Sequence, residues 1–308
     1  MRSHNTFRSC SELSVLLAQI GYIVDIVQIS SGSLYGTFRI KKVGELAILH
    51  IYSSQSLIFF GDYRPEFITL AFDEGGNRED SRAQGEVLPL HSIAGYGLNK
   101  KEVFYSSSVG SSMYFVLIPS IYFQGLVHQL SRDKVLRVLN QTNLLRIATG
   151  HFFHLRDVCR GYFRETPESD TISVAAHDLL VLIHDIMASN CIPMKNIQPP
   201  DYQLTREFLR LVFENCLDQP ITISDLTQRL FTTKTSLSTQ IRKSTGLSPI
   251  AFLRYARLEQ VRSALIRNKG QVSVGAVAKQ YGFSSRSHFA RHYQDLFRER
   301  PTDTLLYC

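Results

Sequence analysis

The stretch VAKQYGFSSRSHFARHYQDLF, residues 277–297, combines a tight turn with a strongly patterned helix. Ala278 is small enough to let two helices cross closely, and Gly282 can adopt the positive φ that a tight turn needs. Ser285 is a suitable N-cap for the next helix. The apolar residues of that helix, which share one face, are Phe289, Tyr293, Leu296 and Phe297. This pattern predicts a helix-turn-helix unit over residues 273–297.

A second copy of the same plan lies upstream, over residues 222–245. Thr222 and Asp225 have the spacing of a capping box, and Thr233 is a suitable N-cap for the helix that follows. Between the two units, residues 250–268 are long enough for one connecting helix of about 28 Å at 1.5 Å per residue. The C-terminal part of the chain is therefore predicted to be helical, with two units held by one helix.

The outward faces of the two capped helices carry cations and hydrogen-bond donors. A helical step of 100° per residue places the following residues outside: Arg286, Ser287, His288, Arg291 and Gln294 in the second unit, and Lys234, Thr235, Ser238, Thr239 and Arg242 in the first. Arginine binds guanine O6 and N7 in the major groove, and Ser or Gln can serve other base edges. Two such helices about 34 Å apart enter successive major grooves. The pattern predicts double-stranded DNA as a partner, with the second unit as the stronger reader. A helical bundle with an incidentally basic surface is the alternative.

The charge distribution supports this interpretation. Residues 1–200 carry 18 basic and 18 acidic side chains and residues 201–308 carry 16 and 9, so the whole net charge of +7 lies in the last third. Such an asymmetry is typical of a domain that binds a polyanion. The expected phosphate contacts are Arg254, Arg257, Arg262, Arg267, Lys269 and Lys279.

The first part of the chain has a different pattern. From residue 22 to about 118, short runs rich in Val, Ile, Phe and Tyr alternate with Gly and Ser, which predicts strands of an antiparallel barrel or sandwich. Residues 122–129, 143–164 and 172–188 have helical spacing. The Pro199-Pro200 pair then interrupts the pattern. We predict an α+β protein of two domains: a cupin-like β-barrel with helices over 1–198, for effector binding and dimerisation, and an all-α double helix-turn-helix domain over 199–308.

A barrel of this size can enclose a small ligand. The candidate effector-binding residues are Tyr35, Phe38, Arg39 and Phe59, although alternating aromatic residues on strands are more often plain core. The apolar faces of 143–164 and 172–188 can form a dimer seam or cover the barrel.

The residue pattern gives little support to the main alternative, a small-molecule or metal-dependent barrel enzyme with a basic helical domain. The sequence lacks a His-x-His pair, a nucleophile elbow and a phosphate loop. We therefore predict no catalytic residues, no metal and no cofactor. The five scattered cysteines contain no C-x-x-C pair, and no segment has the length and composition of a signal peptide or membrane span. These features predict a cytoplasmic protein with no membrane contact.

Residues 202–305 resemble the AraC/XylS family of bacterial transcription regulators. The matching motifs are TGLSPIAFLRYARLEQVRSALI, VAKQYGFSSRSHFARHYQDLF and the Pro301 that follows, and QISSGSLYGTFRI is similar to the XylS-type N-terminal half. The resemblance implies a dimeric, effector-responsive activator that works with RNA polymerase at a promoter or operator. Three positions depart from the family pattern, where Thr227 replaces Ala and Phe231 and Arg298 replace Gly. We expect Phe231 to hinder the left-handed turn of the first unit, so that its second helix is displaced or contributes little to specificity.

Overall fold

The structure is a computed structural model of the chain. It describes residues 2–62, 64–75, 81–98, 102–130, 133–164, 169–189, 192–193, 200–214, 220–268 and 271–307.

The described strands are β1 (Arg2–Phe7), β2 (Val24–Gln28), β3 (Gly36–Val43), β4 (Leu46–Ser53), β5 (Leu57–Asp62), β6 (Phe67–Asp73), β7 (Arg82–Ala83), β8 (Glu86–Val87), β9 (Ser92–Ala94), β10 (Glu102–Ser106), β11 (Ser111–Pro119), β12 (Leu144–Arg146) and β13 (Ile192–Pro193). The described helices are α1 (Cys10–Ala18), α2 (Ser120–Gln129), α3 (Asp133–Gln141), α4 (Thr149–Arg164), α5 (Ser169–Ala188), α6 (Pro200–Glu214), α7 (Ile223–Arg229), α8 (Lys234–Thr245), α9 (Pro249–Asn268), α10 (Val274–Gln280), α11 (Arg286–Phe297) and α12 (Pro301–Thr304).

The strands form two antiparallel sheets. In the part of the chain that the structure describes, the first sheet has the order β1-β3-β4-β11-β6-β9-β12-β13 and the second has the order β2-β5-β10-β7-β8. Because side chains alternate between the faces of a strand, the first sheet has a barrel face and a helix face. Leu49 and Ile51 of β4 pack with Phe59 of β5 between the sheets. Ile48 belongs to the core that the first sheet shares with α2–α5. This arrangement confirms the predicted fold class, a sheet-rich half followed by a helical half.

The second sheet also packs on both faces. Leu57 and Phe59 of β5 point into the barrel. Ile58 and Phe60, the alternate residues of the same strand, belong to the core formed with α6–α9, and the ring of Phe60 stacks on Phe213 at 5.8 Å. The sheet is therefore a shared wall between the barrel and the helical half. The division into domains at residues 198 and 199 lies outside the described residues and stays a prediction.

Some local predictions were wrong. The helix expected over 143–164 begins at Thr149, because Leu144–Arg146 forms β12 and pairs with β9. The spacing of Leu144 and Ile147 also fits a helix. It cannot reveal the pairing, because the partner strand β9 lies elsewhere in the sequence. By contrast, the single connecting helix expected over 250–268 is confirmed by α9.

The two helix-turn-helix units are built alike. In the second unit, Gly282 has φ +86° and its N–H donates to Lys279 O at 3.0 Å. In the first unit, Phe231 has φ +48° and its N–H donates to Gln228 O at 3.2 Å. Phe231 thus adopts the left-handed conformation after all, and α8 still begins at a capping residue, Thr233. The expected hindrance of the left-handed turn was therefore wrong. The bulky side chain is accommodated because it points into solvent, where it is 97% exposed.

We expect opposite effects from two substitutions at these equivalent turn positions. Phe231→Gly should raise the free energy of unfolding by about 1 kcal/mol, because it removes a left-handed strain of about 1–2 kcal/mol and little packing. Gly282→Ala should lower it by about 1–3 kcal/mol, because the new Cβ would lie 2.6 Å from Pro220 Cβ. Urea unfolding of the full chain measures both. Equal destabilisation by both variants would contradict the assigned turn geometry.

Candidate nucleic-acid interface

The helix α11 presents its amino end and one face to solvent. Ser285 is its N-cap, and the Ser285 Oγ accepts a hydrogen bond from the His288 N–H at 3.4 Å. The predicted core residues of α11 are buried, which leaves the opposite face free. All five of the residues predicted to face outward are exposed, namely Arg286, Ser287, His288, Arg291 and Gln294. The structure therefore brings them together on one accessible surface.

The helix α8 of the first unit, like α11 of the second, has a capped amino end, one buried face and one exposed face. Thr233 Oγ1 accepts from the Ser236 N–H at 3.1 Å, while Leu237 and Ile241 are fully buried. Upstream, the Thr222 side chain and the Asp225 carboxylate form the predicted capping box of α7. Of the predicted outward residues, Ser238 is half-buried and four are exposed: Lys234, Thr235, Thr239 and Arg242.

The side chain of Arg286 is exposed and folds back over the neighbouring helix α10. Its Nε is 3.4 Å from the position of a Cβ built on Gly275, so the side chain lies over the first turn of α10. A groove of about 520 Å³ separates α10, α11 and α12 here, and Arg300 lines it together with Arg286 and Gln294. Arg300 was not predicted from the sequence. Its place just before Pro301, at the start of α12, is the signal that points to it.

The cations of the connecting helix differ in their surroundings. Arg262 is 3% exposed and its Nε donates to Glu299 Oε1 at 3.0 Å, so the prediction that it contacts phosphate was wrong. Its guanidinium also interacts with Glu259, which accepts a hydrogen bond from the Cys10 thiol at 3.2 Å. Burial raises the pKa of the Glu259 carboxyl, and Arg262 opposes that shift. The counts of basic residues could not reveal this network, because it depends on partners far away in sequence.

The other predicted phosphate contacts remain at or near the surface. Arg267 and Lys279 are exposed. Arg257 is half-buried and donates to Ile221 O at 2.6 Å, and Arg254 lies 3.4 Å from His292 Nε2. Lys269 lies outside the described residues. Burial lowers the pKa of His292, and the nearby Arg254 and Arg291 lower it further.

The barrel encloses a small apolar cavity of about 60 Å³ between the two sheets. Phe59 lines it, and the Tyr22 hydroxyl lies 3.1 Å from Thr69 Oγ1 in its wall. Of the other candidate effector residues, Phe38 is buried in the same core without lining the cavity. Tyr35 is 46% exposed.

The fourth candidate, Arg39, lies on the face of the first sheet that the helices cover. It pairs across β3 and β4 with His50. Burial, together with Arg39 and Arg160, lowers the pKa of His50 to about 4. The imidazole is therefore neutral at neutral pH, and Arg39 is placed away from the cavity walls.

Two further properties bear on the alternatives. Within the described residues, no three or more His, Cys, Asp or Glu side chains are grouped so that they could hold a metal ion. None of the helices in the described part of the chain is both long and apolar enough to cross a lipid bilayer.

Comparisons with known proteins agree with the class of protein that these capped helix pairs define, a protein with helix-turn-helix units. The family of helix-turn-helix domains matches residues 226–306. The XylDLEGF operon transcriptional activator 2 of Pseudomonas putida is 33% identical over 93 residues, which are 30% of this chain and 59% of the activator. Activator 3 of the same organism is 32% identical over 107 residues, 34% of this chain and 31% of the activator. The chain thus matches only part of the length of these relatives.

Two solved structures are similar as well. A probable AraC family transcriptional regulator from Rhodopseudomonas palustris CGA009 is 32% identical, with 34% of this chain and 96% of that chain covered and a TM-score of 0.32. The AraC-like transcriptional activator CuxR is 11% identical, with 90% and 100% covered and a TM-score of 0.45. The domain match and the two activators at 32–33% identity support an AraC/XylS-type regulator, in agreement with the resemblance seen in residues 202–305.

Arg262 and Arg291 were both predicted to contact DNA, but their substitution should affect stability differently. Arg262→Ala should lower the free energy of unfolding by about 3–5 kcal/mol, because it leaves the buried carboxylates of Glu259 and Glu299 without their cation. Arg291→Ala should change it by less than about 0.5 kcal/mol, because Arg291 is exposed. Thermal and urea unfolding at neutral pH compare them. A small effect of Arg262→Ala would contradict the buried network.

Proposed function

We infer that the chain is a ligand-responsive, sequence-specific DNA-binding transcription regulator. The observation that carries this function is the geometry of α8, α9 and α11. Two helix-turn-helix units, each with a capped helix that exposes a polar face, are joined by a single helix of 20 residues, which is about 30 Å long at 1.5 Å per residue. Successive major grooves on one side of B-DNA are about 34 Å apart. We call α8 and α11 the first and second reading helices.

The second reading helix carries the chemistry that discriminates bases. Arg291 suits guanine, and Ser287 and Gln294 can exchange hydrogen bonds with other base edges. His288 stands at the exposed amino end of α11, where base contacts concentrate in this type of motif. The predicted outward residues of the first reading helix offer mainly hydroxyl groups, together with the cations Lys234 and Arg242. We therefore expect the second unit to contribute more to specificity.

The barrel is proposed to bind a small organic effector. Its cavity of about 60 Å³ is less than half of the volume of about 150 Å³ that accommodates benzene in a protein core. An effector of that size can enter only if the walls move apart. A ligand that binds an expanded barrel better than a closed one shifts the equilibrium between the two states, which is the requirement for regulation by a ligand.

The names of the relatives favour activation over repression, because three of them are activators of one operon.

We extend the proposal to a homodimer that acts with RNA polymerase in the cytoplasm. The apolar faces of α4 and α5, with Phe152, Leu155 and Ile183, are buried in the core with the first sheet, so they cover the barrel. The candidate dimer seam is therefore the outer surface of these helices, where Phe153 and Val174 are 40% and 61% exposed. Analytical ultracentrifugation of the full chain tests this part, and a monomer at all concentrations would exclude the dimer.

We expect Arg291→Ala to cost about 1–3 kcal/mol of discrimination among operator variants, because it removes a base contact. Lys279→Ala, at an exposed cation of α10, should instead weaken all duplexes about equally and reduce the salt dependence of binding by about one phosphate contact. Fluorescence anisotropy with duplexes that differ at single base pairs separates the two effects. Unchanged base preference in Arg291→Ala would show that the reading face is assigned incorrectly.

The full-length protein should enrich a bipartite site from fragmented DNA of its host. Two half-sites centred about one helical turn, 10–10.5 base pairs, apart are expected, because the length of α9 is close to one turn of B-DNA. Sequencing of the bound fragments, with and without candidate effectors, measures this. One short half-site would mean that the first unit only clamps the backbone. If no sequence is enriched under any of these conditions, the proposed function as a sequence-specific regulator is refuted.

A further inference from the structure

The carboxyl end of the second reading helix is capped by the N-terminal half of the chain. The Gly32 N–H donates to Leu296 O at 2.8 Å. The Ser31 hydroxyl donates to Asp295 O, 264 residues away in sequence, and the Ser33 hydroxyl donates to Phe297 O at 3.5 Å. The remaining carbonyl of the last turn, Gln294 O, accepts from the Arg298 N–H at 2.9 Å.

This is an uncommon way to end a helix. The last four carbonyl groups of an α-helix have no partner within the helix and are usually satisfied by the following residues or by water. Here three of the four are satisfied by residues 31–33, a loop that follows β2. The contact therefore fixes the position of α11 relative to the barrel in addition to capping the helix.

Gln28, the last residue of β2, organises the loop. Its side chain is fully buried, and its Nε2 lies 2.6 Å from Gly32 O, 2.8 Å from Ser30 O and 3.3 Å from Leu296 O. Its backbone N–H lies 3.3 Å from Glu259 Oε1 of α9. One residue thus joins the barrel, the connecting helix and the second reading helix.

The same strand forms part of the cavity wall. Val24, the first residue of β2, lines the cavity, and Gln28 ends the strand about 13 Å away at about 3.3 Å per residue. Val24 and Gln28 lie at the two ends of one continuous strand, so the cavity wall and the loop that caps α11 belong to the same backbone element. No flexible segment lies between them.

The first reading helix also ends against the N-terminal half. Gly85, in the β7–β8 turn, lies so close to α8 that an added Cβ would be 3.0 Å from Ser244 Oγ. The Arg82 guanidinium lies beside Gly246, the left-handed C-cap of α8. Both reading helices therefore rest on the barrel at their carboxyl ends, and the barrel can set the distance between them.

We propose that Gln28 is a positioning residue for the second reading helix, through which the state of the barrel cavity sets the placement of α11 relative to α8. The proposal rests on the proposed function for its consequence in DNA binding. The attachment of α11 to residues 28–33 can be tested without DNA.

The first test is hydrogen–deuterium exchange of the full-length protein. In Gln28→Glu the amide donor is replaced by a carboxylate that faces three carbonyl oxygens, so the amides of the last turn of α11 should exchange about threefold faster or more. Gln19→Glu makes the same charge change at an exposed position of the same half and should leave α11 unchanged. Should Gln28→Glu fail to fold, Ser31→Ala removes one exposed donor to α11 and is expected to have a smaller effect in the same direction. Exchange of α11 that is unaltered in the variants that fold would overturn the proposal.

The second test measures positioning directly. A duplex selected from a random pool by the full-length wild type is compared with a duplex that has one extra base pair between its half-sites. We expect Gln28→Glu to change the ratio of the two dissociation constants by about threefold or more, while Gln19→Glu keeps the wild-type ratio. A uniform loss of affinity with an unchanged ratio would show that Gln28 is merely structural and would overturn the positioning role. If the wild type selects no DNA, the regulator itself is refuted, and the exchange experiment still decides whether Gln28 holds α11.

Discussion

The structure depends on one sheet that packs on both of its faces. Strand β5 places Leu57 and Phe59 in the barrel and Ile58 and Phe60 under the helical half, and every strand residue is committed to one side or the other by the two-residue period. A slip of one residue would exchange the side chains of the two faces and disrupt the packing of both cores, so the two cores together fix the register. The barrel and the helical half, which carries the candidate nucleic-acid interface, therefore share one layer of backbone.

The buried charges of the helical half serve the same connection. Arg262 lies between Glu259 and Glu299, and Glu259 in turn accepts from the Cys10 thiol and the Gln28 N–H of the N-terminal half. Burying such groups costs more than packing apolar side chains of similar size, so their net contribution to stability is small. These groups instead restrict how the connecting helix is oriented, because hydrogen bonds to a carboxylate allow fewer relative orientations than apolar packing does. The connecting helix is held against the barrel in one orientation by these bonds.

The local features of the chain could be predicted from the sequence, and the long-range ones could not. Capping residues such as Thr222 and Ser285 act on backbone groups three residues away, and the apolar spacing of α11 and the strands of the barrel follow from short periodic patterns. The burial of Arg262, by contrast, depends on an acidic residue 37 positions later in the chain. The strand β12 and the cap on α11 likewise require partners from distant segments. Phe231 illustrates a different limit, because residue type alone disfavours a left-handed turn that the surrounding helices nevertheless impose.

The polarity of an α-helix explains why the reading helices are arranged as they are. The amino end has free N–H groups and a partial positive charge, which suits it to approach the phosphates and acceptor-rich base edges of DNA. The carboxyl end has free carbonyl groups and a partial negative charge, so it needs hydrogen-bond donors and cations. The N-terminal half supplies such groups at the carboxyl ends of both reading helices. The amide of Gln28 and the hydroxyl of Ser31 lie at the end of α11, and the guanidinium of Arg82 lies beside the cap of α8. A barrel that holds reading helices by their carboxyl ends leaves their amino ends free for the major groove. The contacts that cap a reading helix at its carboxyl end therefore do not compete with DNA for its surface.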